Sequence, residues 1–381
     1  MKASAFLYPW DVIGDPDAPA RIADLGVRQV TLAAAYHSTR ALTPHHPRHR
    51  IVTAEHAAVL YPVDERRWSS RALRPYAAGA WAPGDAYGEA AEALAAVGLD
   101  VHSWVVLAHN SRLGAEHPGT SVVNAYGDRY PWAPCIARPE VRAYLVALAA
   151  EAAVRPGARG TELESCGWYG LAHLHAHDKI AGVALDDTAQ YLMSLCFCDA
   201  CRRGYGEWGV DAAWLAGSVR DALDPVWRGV VPSPAAAPLL EATVGYRAAV
   251  ARSLQEEVVG AVRAAAGPGF QVLLHADPGV HRCGANVGVS AADVFAFADG
   301  VVVPCPAGRP DLLRPFAAHA PSGAVLAANL TVVSGMGGRP GALGEDAALA
   351  EAAGATELRL YHAGLASGED GAAVRRAGVV D

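Results

Sequence analysis

The chain contains 381 residues, of which 52% are hydrophobic and 18% are charged, and its formal net charge is -8. This length and apolar content suffice for one large α/β barrel or two ordinary domains, and they exclude a disordered protein. The negative charge and the lack of a basic run argue against a nucleic-acid partner. No uncharged apolar stretch of about 18 residues is present, and the amino terminus lacks a long signal-like apolar core, so we expect no membrane span and no secretion.

Strand-like and helix-like segments alternate along the whole chain. One sequence pattern occurs three times, in IADLGVRQVTL, ALAAVGLDVHSWVVL and AEAAGATELRLYH. It consists of a helix end, a glycine suited to a left-handed conformation, and an apolar strand. Such apolar runs are typical of buried parallel strands in βαβ units. The predicted strands cover residues 4–8, 29–34, 101–107, 161–164, 271–275, 300–303, 324–328 and 357–361.

Eight such strands favour an α/β fold of the (β/α)8, or TIM barrel, type, which we expect to form a single domain over residues 1–381. Helices are predicted between the strands at residues 18–25, 86–97, 139–153, 239–266, 291–297, 310–318 and 345–353. Residues 36–83 and 165–238 are long insertions after the second and fourth strands. Both fall on the face where barrels carry their active sites.

Aromatic, imidazole and amide side chains follow the predicted strands on that same face. Aromatic rings stack on the C–H groups of sugars, and imidazole and amide groups hydrogen-bond to hydroxyls, so the set predicts a site for a neutral saccharide or glycoside. The candidate binding residues are Trp10, His37, His109, Asn110, Trp168, His275, Asn329 and His362.

Two glutamates lie at the carboxyl end of the fourth predicted strand. Glu162 and Glu164 alternate along the strand and therefore point to the same side, with Glu162 one layer deeper. A glutamate at a strand end among apolar walls is suited to act as a general acid, which makes Glu164 the predicted acid/base and Glu162 a group that tunes it. Asp277, after strand five, is the first candidate for the second catalytic carboxylate, and Glu162 is the next. The pair would lie ~5–5.5 Å apart in a retaining enzyme and ~6.5–9.5 Å apart in an inverting one.

Four of the seven cysteines fit a metal pattern. Cys196, Cys198 and Cys201 form a C-x-C-x-x-C motif, which supplies three soft ligands from one turn, and Cys135 is the candidate fourth ligand. Four thiolates predict a closed, structural zinc site. A metal-binding pattern with an odd cysteine count also favours a reducing cytoplasm over disulfide bonds.

Cys135 before a proline-started helix, the strand-four glutamate and the run CFCDACRRGYGEW together resemble glycoside hydrolase family 42, the β-galactosidases of clan A. The resemblance covers residues 130–208. It implies a (β/α)8 barrel that cleaves glycosides, with Glu164 as the acid/base and the four cysteines as the zinc ligands.

The chain departs from that family at two positions. Leu163 stands where the family has an asparagine, and the seventh strand ends in AANLTVVSG, without the glutamate that serves as nucleophile. Two other functions therefore stay open. One is a catalytically silent barrel that only binds carbohydrate. The other is a metal-dependent isomerase or lyase that uses His275, Asp277 and His362 around a divalent ion. Whether the chain forms oligomers also stays open.

Overall fold

A closed barrel of eight parallel strands forms the centre of the computed structural model, which describes residues 1–172, 179–230, 236–279, 288–306 and 309–378. Each strand pairs with the next one in the chain, and the first pairs with both the second and the eighth, so the ring closes. The strands are β1 Lys2–Leu7, β2 Gln29–Tyr36, β3 Asp100–Val106, β4 Ala158–Glu164, β5 Gln271–His275, β6 Gly300–Pro304, β7 Val325–Thr331 and β8 Glu357–Tyr361. The predicted (β/α)8 fold is confirmed.

Helices surround the barrel and fill its insertions. Local sequence sets their ends: Asp85 caps one helix by accepting a hydrogen bond from Gly88, and Gly98, two residues past that helix, has a φ of +85°. The α-helices are Ala18–Ala23, Glu65–Trp68, Ala86–Ala96, Ser111–Glu116, Pro139–Ala152, Asp187–Met193, Asp199–Glu207, Ala212–Trp227, Ala237–Ala265, Arg314–Ala317, Leu343–Ala352 and Gly368–Ala377. None of the helices within the described ranges is both long and apolar enough to cross a membrane.

Two predicted helices are much shorter than expected. The segment 291–297 contains only the single 3-10 turn Val294–Ala296, and 310–318 forms a 3-10 turn followed by Arg314–Ala317. The first of these is followed closely by Asp299, which exchanges two hydrogen bonds with Val272 of β5. This contact fixes the chain at the start of β6.

The loops at the carboxyl ends of β2, β3 and β4 contain additional hairpins and helices. A hairpin of Thr39–Leu42 and Ile51–Ala54 follows β2, and a second hairpin of Ser121–Val123 and Arg129–Pro134 follows β3. The sequence did not predict the second hairpin. The insertion after β4 contains three of the helices given above.

A layer of polar side chains crosses the interior of the barrel. Thr31 Oγ1 donates to Glu162 Oε1 at 3.1 Å, and Arg359 Nε donates to the same oxygen at 2.6 Å. Arg359 also donates to Glu357 at 2.8 Å. Glu162 and Arg359 have no exposed surface. Burial raises the pKa of Glu162, but Arg359 and then His275 outweigh it and lower that pKa to about 2, so this carboxylate is ionised.

Replacing Glu162 with glutamine should lower the free energy of unfolding by about 3 to 5 kcal/mol at pH 7, because Arg359 loses its closest partner. The folded-state pKa of Glu162 lies below its ordinary value of 4.5. The difference in unfolding free energy between wild type and variant should therefore reach its full size above pH 4.5 and shrink as the pH falls towards 2. Urea unfolding at several pH values measures it.

The exposed pair of Arg252 and Glu256 supplies the control. Glu256→Gln should cost less than about 1 kcal/mol at every pH, as surface ion pairs do. A Glu162→Gln protein no less stable than this control would contradict the expected role of the buried pair.

Candidate active site at the mouth of the barrel

Glu164 is the last residue of β4 and opens onto the carboxyl end of the barrel. Its Oε2 accepts a hydrogen bond of 2.8 Å from Trp104 Nε1 on the neighbouring strand β3. The glutamate is 8% exposed, whereas Trp104 is fully buried. A fixed carboxylate with a small exposed surface is what proton transfer to a bound molecule requires.

His275, the last residue of β5, lies between the two glutamates of β4. Its Nε2 is 3.4 Å from Glu162 Oε2, and its Nδ1 is 3.9 Å from Glu164 Oε2. The imidazole is 2% exposed. The ring therefore lies between the charged layer inside the barrel and the carboxylate at the mouth.

Glu162 is placed to act through other groups and not on a substrate. It lies one layer deeper than Glu164, as the alternation of the strand predicted, and it is enclosed completely. Its burial favours an indirect role, and direct catalysis by Glu162 stays a prediction. A role in tuning its neighbours remains, through His275.

Three tyrosines surround the mouth near Glu164. Burial raises the pKa values of Tyr8, Tyr36 and Tyr361 well above the ordinary value, and the negative charge of Glu164 contributes to each shift. Their hydroxyls therefore stay protonated near neutral pH and are available as hydrogen-bond donors. Sequence reasoning gave none of these tyrosines, nor Trp104, a role beside Glu164.

Histidines extend this aromatic wall. The ring of His37 stacks on Tyr36 at 4.2 Å between centroids and lies 4.7 Å from His109, which in turn stacks on Tyr169 at 4.6 Å. On the other side, His362 Nδ1 is 3.4 Å from the hydroxyl of Tyr8. Two predicted binding residues, His37 and His109, thus share one continuous surface.

The backbone is strained at two points of the mouth. Ser165 and His362 have φ values of 55° and 58°, and they are the non-glycine residues with positive φ in the described part of the chain. Ser165 directly follows the end of β4, and His362 directly follows the end of β8. Strain of this kind persists where the surrounding structure holds a functional geometry.

Other predicted site residues have different surroundings. Trp168 is 3% exposed, donates to the carbonyl of Arg247 at 2.8 Å and lies 4.9 Å below that guanidinium, so the helix Ala237–Ala265 covers its ring. Asn110 caps the helix Ser111–Glu116 by accepting from Leu113 at 3.0 Å. Both side chains therefore have structural contacts, and a role of Trp168 and Asn110 in binding stays a prediction.

The remaining two candidates follow β5 and lie within β7. Asp277 Oδ1 accepts a hydrogen bond of 2.8 Å from Gly279 and so shapes its own turn. The side-chain oxygen of Asn329 is buried, and no partner for it occurs in the ranges that the structure describes. Asn329 therefore retains an unused acceptor near the end of β7.

Asp11 and Trp10 stand at the end of β1. Burial raises the pKa of Asp11 to about 7, although the Tyr8 amide and Arg21 act against this shift. Its Oδ2 accepts a hydrogen bond of 2.8 Å from the Tyr8 amide. Trp10 stacks on Tyr8 with centroids 4.6 Å apart and an interplanar angle of 13°.

Four cysteine sulfurs meet beside the mouth and could hold a metal. Cys135, Cys196, Cys198 and Cys201 are buried, and their sulfurs lie within 4.8 Å of one another. Cys135 Sγ is 3.6 Å from that of Cys198 and 3.5 Å from that of Cys201. Four thiolates at Zn–S distances of about 2.3 Å in a tetrahedron have sulfurs about 3.8 Å apart, so the set fits tetrahedral coordination.

The cysteines join two separate loops. Cys135 follows the hairpin after β3, whereas Cys198 caps the helix Asp199–Glu207 and Cys201 lies in its first turn. Backbone amides of Val123 and Cys198 donate to the sulfur of Cys196 at 3.5 Å each. Among the described residues, these four cysteines form a group whose ligand atoms lie close enough together to bind one metal ion.

Comparison with known proteins places the chain by its fold alone. No family model matches the sequence, and no curated protein matches it. Among solved structures, α-L-fucosidase isoenzyme 2 from Paenibacillus thiaminolyticus is 14% identical with a TM-score of 0.56. A β-galactosidase from the psychrophilic Marinomonas ef1 is 11% identical with a TM-score of 0.56, and the catalytic domain of a β-amylase from Paenibacillus polymyxa is 10% identical with a TM-score of 0.58.

These alignments cover 99% of this chain but different shares of the other three. The chain spans 48% of the fucosidase, 59% of the β-galactosidase and 97% of the β-amylase catalytic domain. The barrel therefore has the fold of these glycoside hydrolases. Membership of family 42 in particular stays a prediction.

The imidazole of His362 should remain neutral from about pH 5 to 8, because burial lowers its pKa from 6.5 to about 3. Ring nitrogen chemical shifts of histidine-labelled protein measure this, with the signal assigned from a His362→Asn variant. A titration of that signal with a midpoint near 6.5 would contradict the buried, uncharged state.

Proposed function

We propose that the protein is a glycoside hydrolase-like enzyme that acts on a small saccharide or glycoside, with Glu164 as its general acid/base. The observation that supports this most is the setting of Glu164. It ends β4, Trp104 holds one of its oxygens, and buried aromatic hydroxyls and imidazoles surround it. The fold shared with three glycoside hydrolases is consistent with the proposal.

The proposed role of Glu164 is to protonate the leaving oxygen of the substrate. The indole N–H of Trp104 fixes the carboxyl group, so little orientation is lost when a glycoside binds. His275 stands 3.9 Å from the same oxygen and 3.4 Å from Glu162, the partner of Arg359. The proposed acid is therefore a close neighbour of the charged layer of the barrel.

The sugar itself would be held by the neutral wall of the mouth. His362 is uncharged near neutral pH, because burial lowers its pKa to about 3. Trp10 supplies an aromatic face, while His37 and Asn329 supply hydrogen-bonding groups. Neutral donors and acceptors suit hydroxyl groups better than charged ones do, since no charge has to lose its hydration shell.

Asp277 is the proposed second carboxylate. It would act as the base that activates water or as the nucleophile, because β7 ends in Asn329-Leu330-Thr331 without an acid. The missing acid also favours one alternative, a barrel that binds carbohydrate without cleaving it. The metal-dependent isomerase or lyase receives less support, since His275, Asp277 and His362 do not form a ligand group in the described residues.

Replacing Glu164 with glutamine should reduce kcat/KM for glycosides by about 10²- to 10⁴-fold, because the general acid is lost. The loss should be larger for alkyl glycosides than for nitrophenyl glycosides, since nitrophenolate leaves without being protonated. A panel of both glycoside types across several sugars measures the effect.

Glu140→Gln is the matched control, because Glu140 is an exposed carboxylate at the start of the helix Pro139–Ala152. It should match wild type. Equal rates for wild type and Glu164→Gln would remove Glu164 as the acid. Saturable sugar binding without turnover of any glycoside, in wild type and variant alike, would identify the silent binder.

We further propose that the four clustered cysteines hold one structural zinc ion. Four sulfur ligands complete the coordination shell, so the ion would leave no position for a substrate and would serve to stabilise the loops. Cys135, Cys196, Cys198 and Cys201 are all free thiols, which is consistent with a compartment that keeps thiols reduced, such as the cytoplasm.

Purified protein should contain about one zinc per chain, and Cys198→Ser should lose it and unfold at a lower temperature. Cys305→Ser is the control, since Cys305 is a buried thiol outside the cluster. Metal analysis and thermal unfolding of both variants measure this. Full zinc retention in Cys198→Ser, or loss in Cys305→Ser, would count against the four-cysteine site.

A further inference from the structure

Trp132, in the hairpin after β3, joins two loops at the carboxyl end of the barrel. Its carbonyl accepts a hydrogen bond of 3.1 Å from the amide of Asn110, and its indole Nε1 donates to the carbonyl of Gly170 at 2.8 Å. Asn110 directly follows His109, and Gly170 directly follows Tyr169. One residue of the hairpin therefore holds the backbone next to both members of a stacked pair of rings.

The stacked pair of His109 and Tyr169 lies beside the groups that surround the proposed acid. The two rings are 4.6 Å apart with an interplanar angle of 22°, and His109 lies 4.7 Å from His37. Burial lowers the pKa of His37, and the charge of Glu164 acts against this shift. Burial raises the pKa of Tyr361, and Tyr169 adds to that shift. Both members of the pair keep some exposed surface, 6% for His109 and 7% for Tyr169.

The loop after Tyr169 is held from two sides. The amide of Leu171 donates to Ser194 Oγ at 2.9 Å, and a Cβ at Gly170 would overlap the side chain of Ser194. The indole of Trp132 supplies the donor for the carbonyl of Gly170 on the other side. If the indole N–H is removed, this carbonyl loses its partner, and only the contact with Ser194 still fixes the loop.

The hairpin is a firm support for the indole. Tyr130 stacks on Trp132 with centroids 5.1 Å apart and an interplanar angle of 11°, and its hydroxyl donates to the carbonyl of Met193 at 2.8 Å. The amide of Phe197 donates to the carbonyl of Val123 at 2.6 Å. The hairpin is thus bonded to the insertion after β4 at two separate points, and the indole has a defined position.

We infer that Trp132 is a positioning residue of the proposed active site: it sets the place of the stacked pair of His109 and Tyr169, and a bound sugar packs against this pair. The inference rests on the proposed function, because it assigns the support of a substrate wall. Aromatic rings suit the C–H faces of sugars. Trp132 acts on the binding of the sugar and not on proton transfer, since Glu164 is held by a different residue, Trp104.

Trp132→Phe keeps an aromatic ring but removes the N–H. It should raise KM for glycosides about three- to tenfold, the effect of one lost neutral hydrogen bond, and leave kcat within about twofold of wild type. Steady-state kinetics with a panel of nitrophenyl glycosides measures both constants. The ring nitrogen shifts of His109 should change in this variant, whereas those of His362 should not.

Tyr130→Phe is the matched control, because it removes a hydroxyl and its bond to Met193 from the same hairpin but leaves both hydrogen bonds of Trp132 in place. Its KM should match wild type, and its thermal unfolding temperature reports how far the hairpin is loosened. An equal rise of KM in both variants would show a general loosening of the hairpin and would overturn the inference.

A double-variant cycle tests whether Trp132 acts through Tyr169. Tyr169→Leu removes the ring from the wall and should raise KM by itself. Adding Trp132→Phe to this variant should raise KM no further, because the ring that Trp132 positions is already absent. Effects on KM that multiply in the double variant would contradict the proposed route.

A binding measurement separates this result from the proposed function. Galactose, fucose and glucose are titrated into wild type and Trp132→Phe and followed by calorimetry. Sugar binding that weakens in Trp132→Phe, without turnover of any glycoside, would refute the hydrolase and support the positioning role. Turnover by wild type with a KM that Trp132→Phe does not change would refute the positioning role alone. Neither turnover nor sugar binding would refute both.

Discussion

The pairing of Glu162 with Arg359 inside the barrel is the interaction on which the candidate site depends. Most barrels of this type fill their interior with apolar layers. Here a carboxylate from β4 and a guanidinium from β8 meet across the interior without any exposed surface. Because each charge requires the other, the two strands are held in one relative register. His275 of β5 lies between this pair and Glu164. The candidate acid therefore stands directly above a pair of buried charges.

Periodicity and glycine positions were enough to predict the barrel. The apolar runs in the strands and the glycines after the helices indicate local backbone conformations. These conformations depend on residues that are near in the sequence. The alternation of Glu162 and Glu164 also predicted their relative depth correctly. The prediction of a helix at 291–297 was wrong: the segment forms the single 3-10 turn Val294–Ala296, and contacts between the distant residues Asp299 and Val272 follow directly after it.

The contacts between side chains on neighbouring strands could not be predicted from the sequence. Trp104 can hold Glu164 because β3 and β4 are paired with Val106 opposite Glu164, after a register shift at the start of β3. Gly160 stands at that shift, where a Cβ would come within 2.6 Å of the His102 ring, but the glycine does not indicate which residue comes to lie opposite Glu164. Likewise Trp168 and Asn110 have the residue types of a sugar site, yet one ring is covered by Arg247 and one amide is committed to a helix cap. Residue type predicts what a side chain can do, whereas its neighbours decide whether that capacity is free.

The sulfur cluster has a consequence for the order in which the molecule assembles. Cys135 and Cys198 are 63 positions apart, and the stretch between them includes the whole of β4. An ion that joins the two ends converts that stretch into a closed circle, which reduces the freedom of the unfolded chain. The proposed ion would therefore favour the folded position of the strand that carries Glu164.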